Sequence, residues 1–88
     1  MVSYSAHDGS TIENAIIISD VHDHFEGINA EYLYLENKFG KRGVEWQLLK
    51  QELLNENQNV YDRLIIQLSD KAVINVYFNL TEFFGKGF

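Results

Sequence analysis

Val44 to Leu54, VEWQLLKQELL, is the stretch whose reading decides the fold. Taken with a period of 3.6 residues, Trp46, Leu49, Leu53 and Leu54 form one stripe of strong helix formers. Taken with a period of 2, Trp46, Leu48 and Leu54 share a face, on which Lys50 and Glu52 intrude. Local propensity favours helix, but it is a weak prior that tertiary context overrides. The flanking sequence supplies strands in want of partners, so we read 44–54 as a strand. The alternative is a second helix at 44–54 with a three-stranded sheet.

Downstream, Val60 to Leu68 and Val73 to Leu80 alternate as strands do. The first places Leu64, Ile66 and Leu68 on one face, with Arg63, Ile65 and Gln67 on the other. The second places Ile74, Val76, Phe78 and Leu80 opposite Val73, Asn75, Tyr77 and Asn79. Ser69-Asp70-Lys71-Ala72 joins them as a hairpin. Asn55 to Asn59 is rich in Asn, which tolerates the positive φ of a turn.

Upstream, Val21, Phe25, Ile28, Tyr32, Leu35 and Phe39 recur every three or four residues and predict an amphipathic helix over about 24–39. Asp23 followed by Glu26 fits a capping box, and Gly40 suits the residue after the last turn. Gly27 implies close packing of the helix on a strand, or a helix that begins one turn later. Ala15 to Ser19 is short, β-branched and apolar, and reads as a strand buried on both faces. The polar residues 1–10 are expected to form a flexible N-terminal segment before a single domain over 11–88. The resulting order is β-α-β-β-β. This is an α+β two-layer sandwich, with one helix packed on a mainly antiparallel four-stranded sheet. In outline the order resembles the cystatin-like arrangement, and no inhibitory motif accompanies it.

Eighty-eight residues make one domain, and 45% of them are hydrophobic, as in an ordinary globular protein. Seven Lys and Arg against thirteen Asp and Glu give a net charge of -6. That balance opposes nucleic-acid binding, which needs a basic surface to neutralise phosphates. Without cysteine there is no disulfide, thiolate metal site or cysteine nucleophile. The longest apolar run is Ala15 to Ile18, far short of the roughly 20 residues of a membrane span. Met1 to Ser10 lacks the basic and apolar regions of a secretory signal, so the expected location is the cytoplasm.

Ala15 to Phe25, AIIISDVHDHF, carries the one motif with chemistry in it. A hydrophobic strand that delivers Asp-x-His at its end resembles the opening of the calcineurin-like metallophosphoesterases. The resemblance implies that Asp20 and His22 are ligands of a two-metal site. It covers only these eleven residues, and the later Gly-Asp, Gly-Asn-His and Gly-His-x-His blocks of that family are missing. A simpler site for a divalent transition metal would use Asp20, His22, His24 and Glu26, with His22 and Glu26 at i and i+4. The plain reading is a solvated, acidic helix N-terminus, which the helix dipole favours. The serines lack a G-x-S-x-G context, and neither glycine pair forms a phosphate loop. No catalytic residue is assigned.

The uncovered side of the sheet points elsewhere. A single helix covers one face, leaving Ile65, Val73 and Tyr77 on the other, with Leu49 and Leu53 beside them if 44–54 is a strand. Phe84 and Phe88 either fold back over the sheet or dock on a partner. Ile65, Val73, Tyr77, Phe84 and Phe88 are therefore the candidate interface. The expected function is that of a small acidic interaction domain without catalysis. It would act as a homodimer or on a protein partner, in the manner of a bacterial adaptor or immunity-type protein. The alternatives are a metal-binding protein or metal-dependent hydrolase using the Asp20 to Glu26 cluster, and a small-ligand carrier using the helix–sheet cleft.

Overall fold

The computed structural model describes residues 2–82, apart from the side chain of His24. Its elements run β1 (Ser3–Tyr4), β2 (Ile16–Ser19), α1 (His24–Phe39), β3 (Trp46–Glu56), β4 (Asn59–Leu68) and β5 (Val73–Asn79). The expected helix and four strands are all present, and the first ten residues add β1. The sheet is mixed, with five strands in the order β1-β2-β5-β4-β3. Only β2 and β5 run parallel, registering Ile16 with Phe78 and Ile17 with Asn79. The alternative of a second helix at 44–54 is excluded, because that stretch pairs along its length with β4.

Helix α1 starts and stops where its sequence says. Asp23 Oδ1 accepts from the Glu26 amide at 2.9 Å, filling one of the orphan donors of the first turn. Glu26 Oε1 reaches back to the His22 amide at 3.0 Å. At the other end Gly40 has φ +109°, and its amide donates to the Glu36 carbonyl. A Cβ at Gly40 would also lie 2.7 Å from Glu45 Cγ, so glycine is required there twice over.

The buried face of α1 is not the stripe centred on Phe25. Phe25 is 77% exposed, whereas Gly27, Ala30, Glu31 and Leu35 are buried. The helix is turned so that its small residues approach the sheet. Tyr34 packs edge-on against Phe78 of β5, with ring centroids 5.7 Å apart. Tyr4 of β1 donates to the Ala30 carbonyl at 2.7 Å, tying that short edge strand to the helix.

Between the layers lie Ile16, Ile18, Val21, Leu35, Trp46, Leu64, Ile66, Val76, Phe78 and Leu80. Full burial of each large aliphatic or aromatic side chain contributes about 1.5–3 kcal/mol. The Trp46 indole donates to the Gly40 carbonyl at 2.8 Å, so its one polar atom is satisfied. The expectation that β2 is buried on both faces fails at Ile17, which is 38% exposed on the side away from the helix.

Two turns fix the antiparallel register. Asn57 and Gln58 both have positive φ and link Glu56 to Asn59, the two-residue hairpin whose twist suits its strands. Lys71, with φ +72°, turns β4 into β5. The β3–β4 ladder carries one irregularity, between Leu48 and Lys50. Leu48 opposes Ile66 and Lys50 opposes Ile65, leaving Leu49 as a bulge.

Candidate functional site

That single extra residue decides which side chains face outward. Opposed residues of an antiparallel pair share a face. Past the bulge, Gln51 opposes Leu64 and Leu53 opposes Asp62, on the helix side. Lys50 opposes Ile65 and Glu52 opposes Arg63, on the open side. The charges that intrude on a strict two-residue alternation are therefore not in the core at all. The same shift corrects the expectation that Leu53 joins the open face. Leu49 and Leu53 stay 51% and 52% exposed at the margin of the sheet.

The open face is built across four strands. β2 supplies Ile17, β5 supplies Val73 and Tyr77, and β4 supplies Ile65 and Arg63. Val73 is 56% exposed, while Ile65 and Tyr77 are half-buried. At the β3 side Arg63 pairs with Glu52, and Lys50 Nζ lies 3.4 Å from the other Glu52 oxygen. Two cations and one anion stand here, in a chain whose net charge is -6. Of the expected interface residues, Ile65, Val73 and Tyr77 thus share one surface. Phe84 and Phe88 lie outside the described residues.

A second polar feature, on the covered side of the sheet, was not foreseen. Glu31 of α1 and Asp62 of β4 are both almost completely buried, at 1% and 2% exposure. Gln51 Nε2 donates to Asp62 Oδ2 at 2.6 Å, and Tyr32 donates to Gln51 Oε1 at 3.2 Å. Among the described residues no N–H or O–H donor reaches the Glu31 carboxyl. Burial pushes the Glu31 carboxyl up to about 10, with a further rise from the neighbouring Asp62 carboxyl. A carboxyl held that high keeps its proton at physiological pH. The Tyr32 hydroxyl is also raised, chiefly by burial, against the opposing pull of Arg42, whose guanidinium sits 5.0 Å from the Tyr32 ring centre. A signal for the pair is present in the sequence. Asp62 interrupts the apolar row Val60, Leu64, Ile66, Leu68, and Glu31 interrupts the small and apolar row Gly27, Ala30, Tyr34. Because solvent does not reach either carboxyl, the pair can order the two layers but is closed to a substrate.

The Asp20 to Glu26 cluster is spent largely on local structure. Asp20 accepts from the Ser3 hydroxyl at 2.8 Å, linking β1 to the end of β2. Glu26 holds the His22 amide and lies 3.4 Å from His22 Nδ1, the expected i, i+4 pair. The side chain of His24 is outside what the structure describes. Among the described residues no group of three or more His, Cys, Asp or Glu side chains converges as a metal site. No family model matches the chain, and no curated protein or solved structure is detectably similar to it.

Proposed function

We propose that the chain is a non-catalytic interaction domain whose working surface is the open face of its sheet. The observation that supports this most is that Ile17, Ile65, Val73 and Tyr77 share one face of β2, β4 and β5, with no described element above them. Apolar surface gathered on one face of a small domain marks a place where another surface belongs. The occupant is a protein surface with an apolar centre. It meets the cationic edge of Lys50 and Arg63 with acidic or polar groups of its own. Among the described residues no helix is long and apolar enough to cross a membrane.

Site-specific photo-crosslinking tests the reading. A photoreactive phenylalanine analogue replaces Tyr77 on the open face in one chain, and Phe25 on the outer surface of α1 in another. Irradiation in cells is expected to give a discrete adduct at position 77 and none of the same mass at position 25. Equal yields of one adduct at both positions, or no adduct at 77, would remove the open face as the working surface.

A further inference from the structure

We infer that two copies of the chain pair edge to edge through β3, about a two-fold axis at Gln51. This surface is distinct from the open face, and the inference does not depend on the proposed function.

β3 has eleven residues, and among the described strands it pairs with β4 alone. At its start the outer side is closed by the chain itself. Arg42 bridges to Trp46, and the Gly43 amide donates to the Trp46 carbonyl at 2.6 Å. Beyond Trp46 no described strand meets that edge. An open edge of this length presents backbone donors and acceptors ready for another strand.

The sequence of the edge names which strand. Leu49-Lys50-Gln51-Glu52-Leu53, read in reverse about Gln51, is its own charge complement. Antiparallel pairing with a second copy, centred there, sets Gln51 against Gln51, Lys50 against Glu52 and Leu49 against Leu53. Each of the last two pairs occurs twice, as a two-fold interface demands. The faces also agree. Lys50 and Glu52 both lie on the open side, so opposed charges meet on one surface. Leu49 and Leu53, each about half exposed, gain an apolar neighbour. The bulge makes this possible, since it moves both charges off the helix side. Edge strands commonly carry a lysine that repels further pairing. Here Lys50 has its complement two residues away, and the seam has no net charge in a chain of net charge -6.

The axis runs normal to the sheet, because opposed residues of antiparallel strands share a face. Both helices then lie on one side. Two five-stranded sheets become continuous, and the two open faces become one surface.

Sedimentation of charge variants tests the seam. The wild-type chain is expected to sediment at twice the 10.2 kDa of one chain. Lys50→Glu and Glu52→Lys each bring like charges together twice, and each is expected to weaken the dimer on the order of tenfold. Mixed together, the two variants restore both attractive pairs and are expected to form a heterodimer. Glu52 also holds Arg63, so a second readout guards against misfolding. The chain has no cysteine, and Gln51→Cys is expected to form an intermolecular disulfide rapidly, where Asn55→Cys does not. A wild-type chain that stays at 10.2 kDa at all concentrations overturns the inference. So does a dimer that survives both charge variants but is lost in Ile65→Glu, since it would lie on the open face.

Discussion

Glu31 carries the largest electrostatic consequence of any single residue in the fold. Unfolded, its carboxyl titrates near 4.5; folded, it holds its proton to about 10. Between those values the unfolded chain binds fewer protons than the folded one. The contribution of Glu31 is therefore complete below pH 4.5 and is lost as the pH rises toward 10. The slope of that loss is at most about 1.4 kcal/mol per pH unit. Glu31→Gln supplies an amide donor for Asp62 without the need to retain a proton. Urea unfolding from pH 5 to pH 9 is expected to show declining stability for the wild-type chain and a flatter profile for Glu31→Gln. At pH 8 the variant is expected to be more stable by about 1–3 kcal/mol, the cost of leaving a buried polar group unsatisfied. Parallel profiles for the two chains would contradict this account of the pair. The Glu31–Asp62 pair was legible only as two acids breaking two apolar rows. The facing of one row against the other depends on how α1 is rotated, which no local pattern records.

Among the elements, β3 turns on one residue. With Leu49 kept in strict alternation, Lys50 and Glu52 would fall on the helix side, under α1; the bulge absorbs Leu49 and holds them on the open side. Deletion of Leu49 joins Leu48 directly to Lys50 and leaves Ile66, Ile65 and Leu64 with the same partners, so the shortened strand is expected to fold with both charges still outward, at a cost of about 1–2 kcal/mol. Leu49→Ala keeps the register and trims a half-exposed side chain, so its expected cost is within about 1 kcal/mol. Denaturant titration of both variants checks this, and a deletion variant that fails to fold would mean that Leu49 is not the residue the ladder leaves over. The helix was readable to its ends because its signals are local: Asp23 and Glu26 at the start and Gly40 at the finish. The strands after it were readable for the same reason, since β4 and β5 alternate without interruption. β3 was harder, because a bulge leaves no mark in LLKQELL and makes its charges look misplaced. Phe25 misled the helix reading in a related way. It sits at the right interval, but the buried face of α1 runs through Gly27, Ala30, Glu31 and Leu35. β1 could not be read at all, for its two residues are held by the Tyr4 hydroxyl on the Ala30 carbonyl and by pairing with β2.

Across the whole molecule, charge and apolar surface are segregated. Asp20, Asp23, Glu26 and Glu36 gather at and along the helix, while Lys38, Lys41 and Arg42 cluster where it ends. Lys38 and Arg42 rest near the faces of Tyr34, Phe39, Tyr32 and Trp46, which anchors the basic end. The opposite side of the sheet carries Lys50, Arg63 and Glu52, and no described element covers it. The sequence already implied this side, because one helix cannot cover two faces, and Ile65, Val73 and Tyr77 were identified from alternation alone. Ile17 was missed because a continuous apolar run hides which of its members points outward. The most direct test of the open face as a working surface is hydroxyl-radical footprinting in living cells against the purified chain, read at Tyr77 and Phe25. Tyr77 is expected to be oxidised several-fold less in cells than in isolation, while Phe25 is oxidised equally in both. Equal oxidation of Tyr77 in the two settings would show the face bare where the protein works, and would contradict the account.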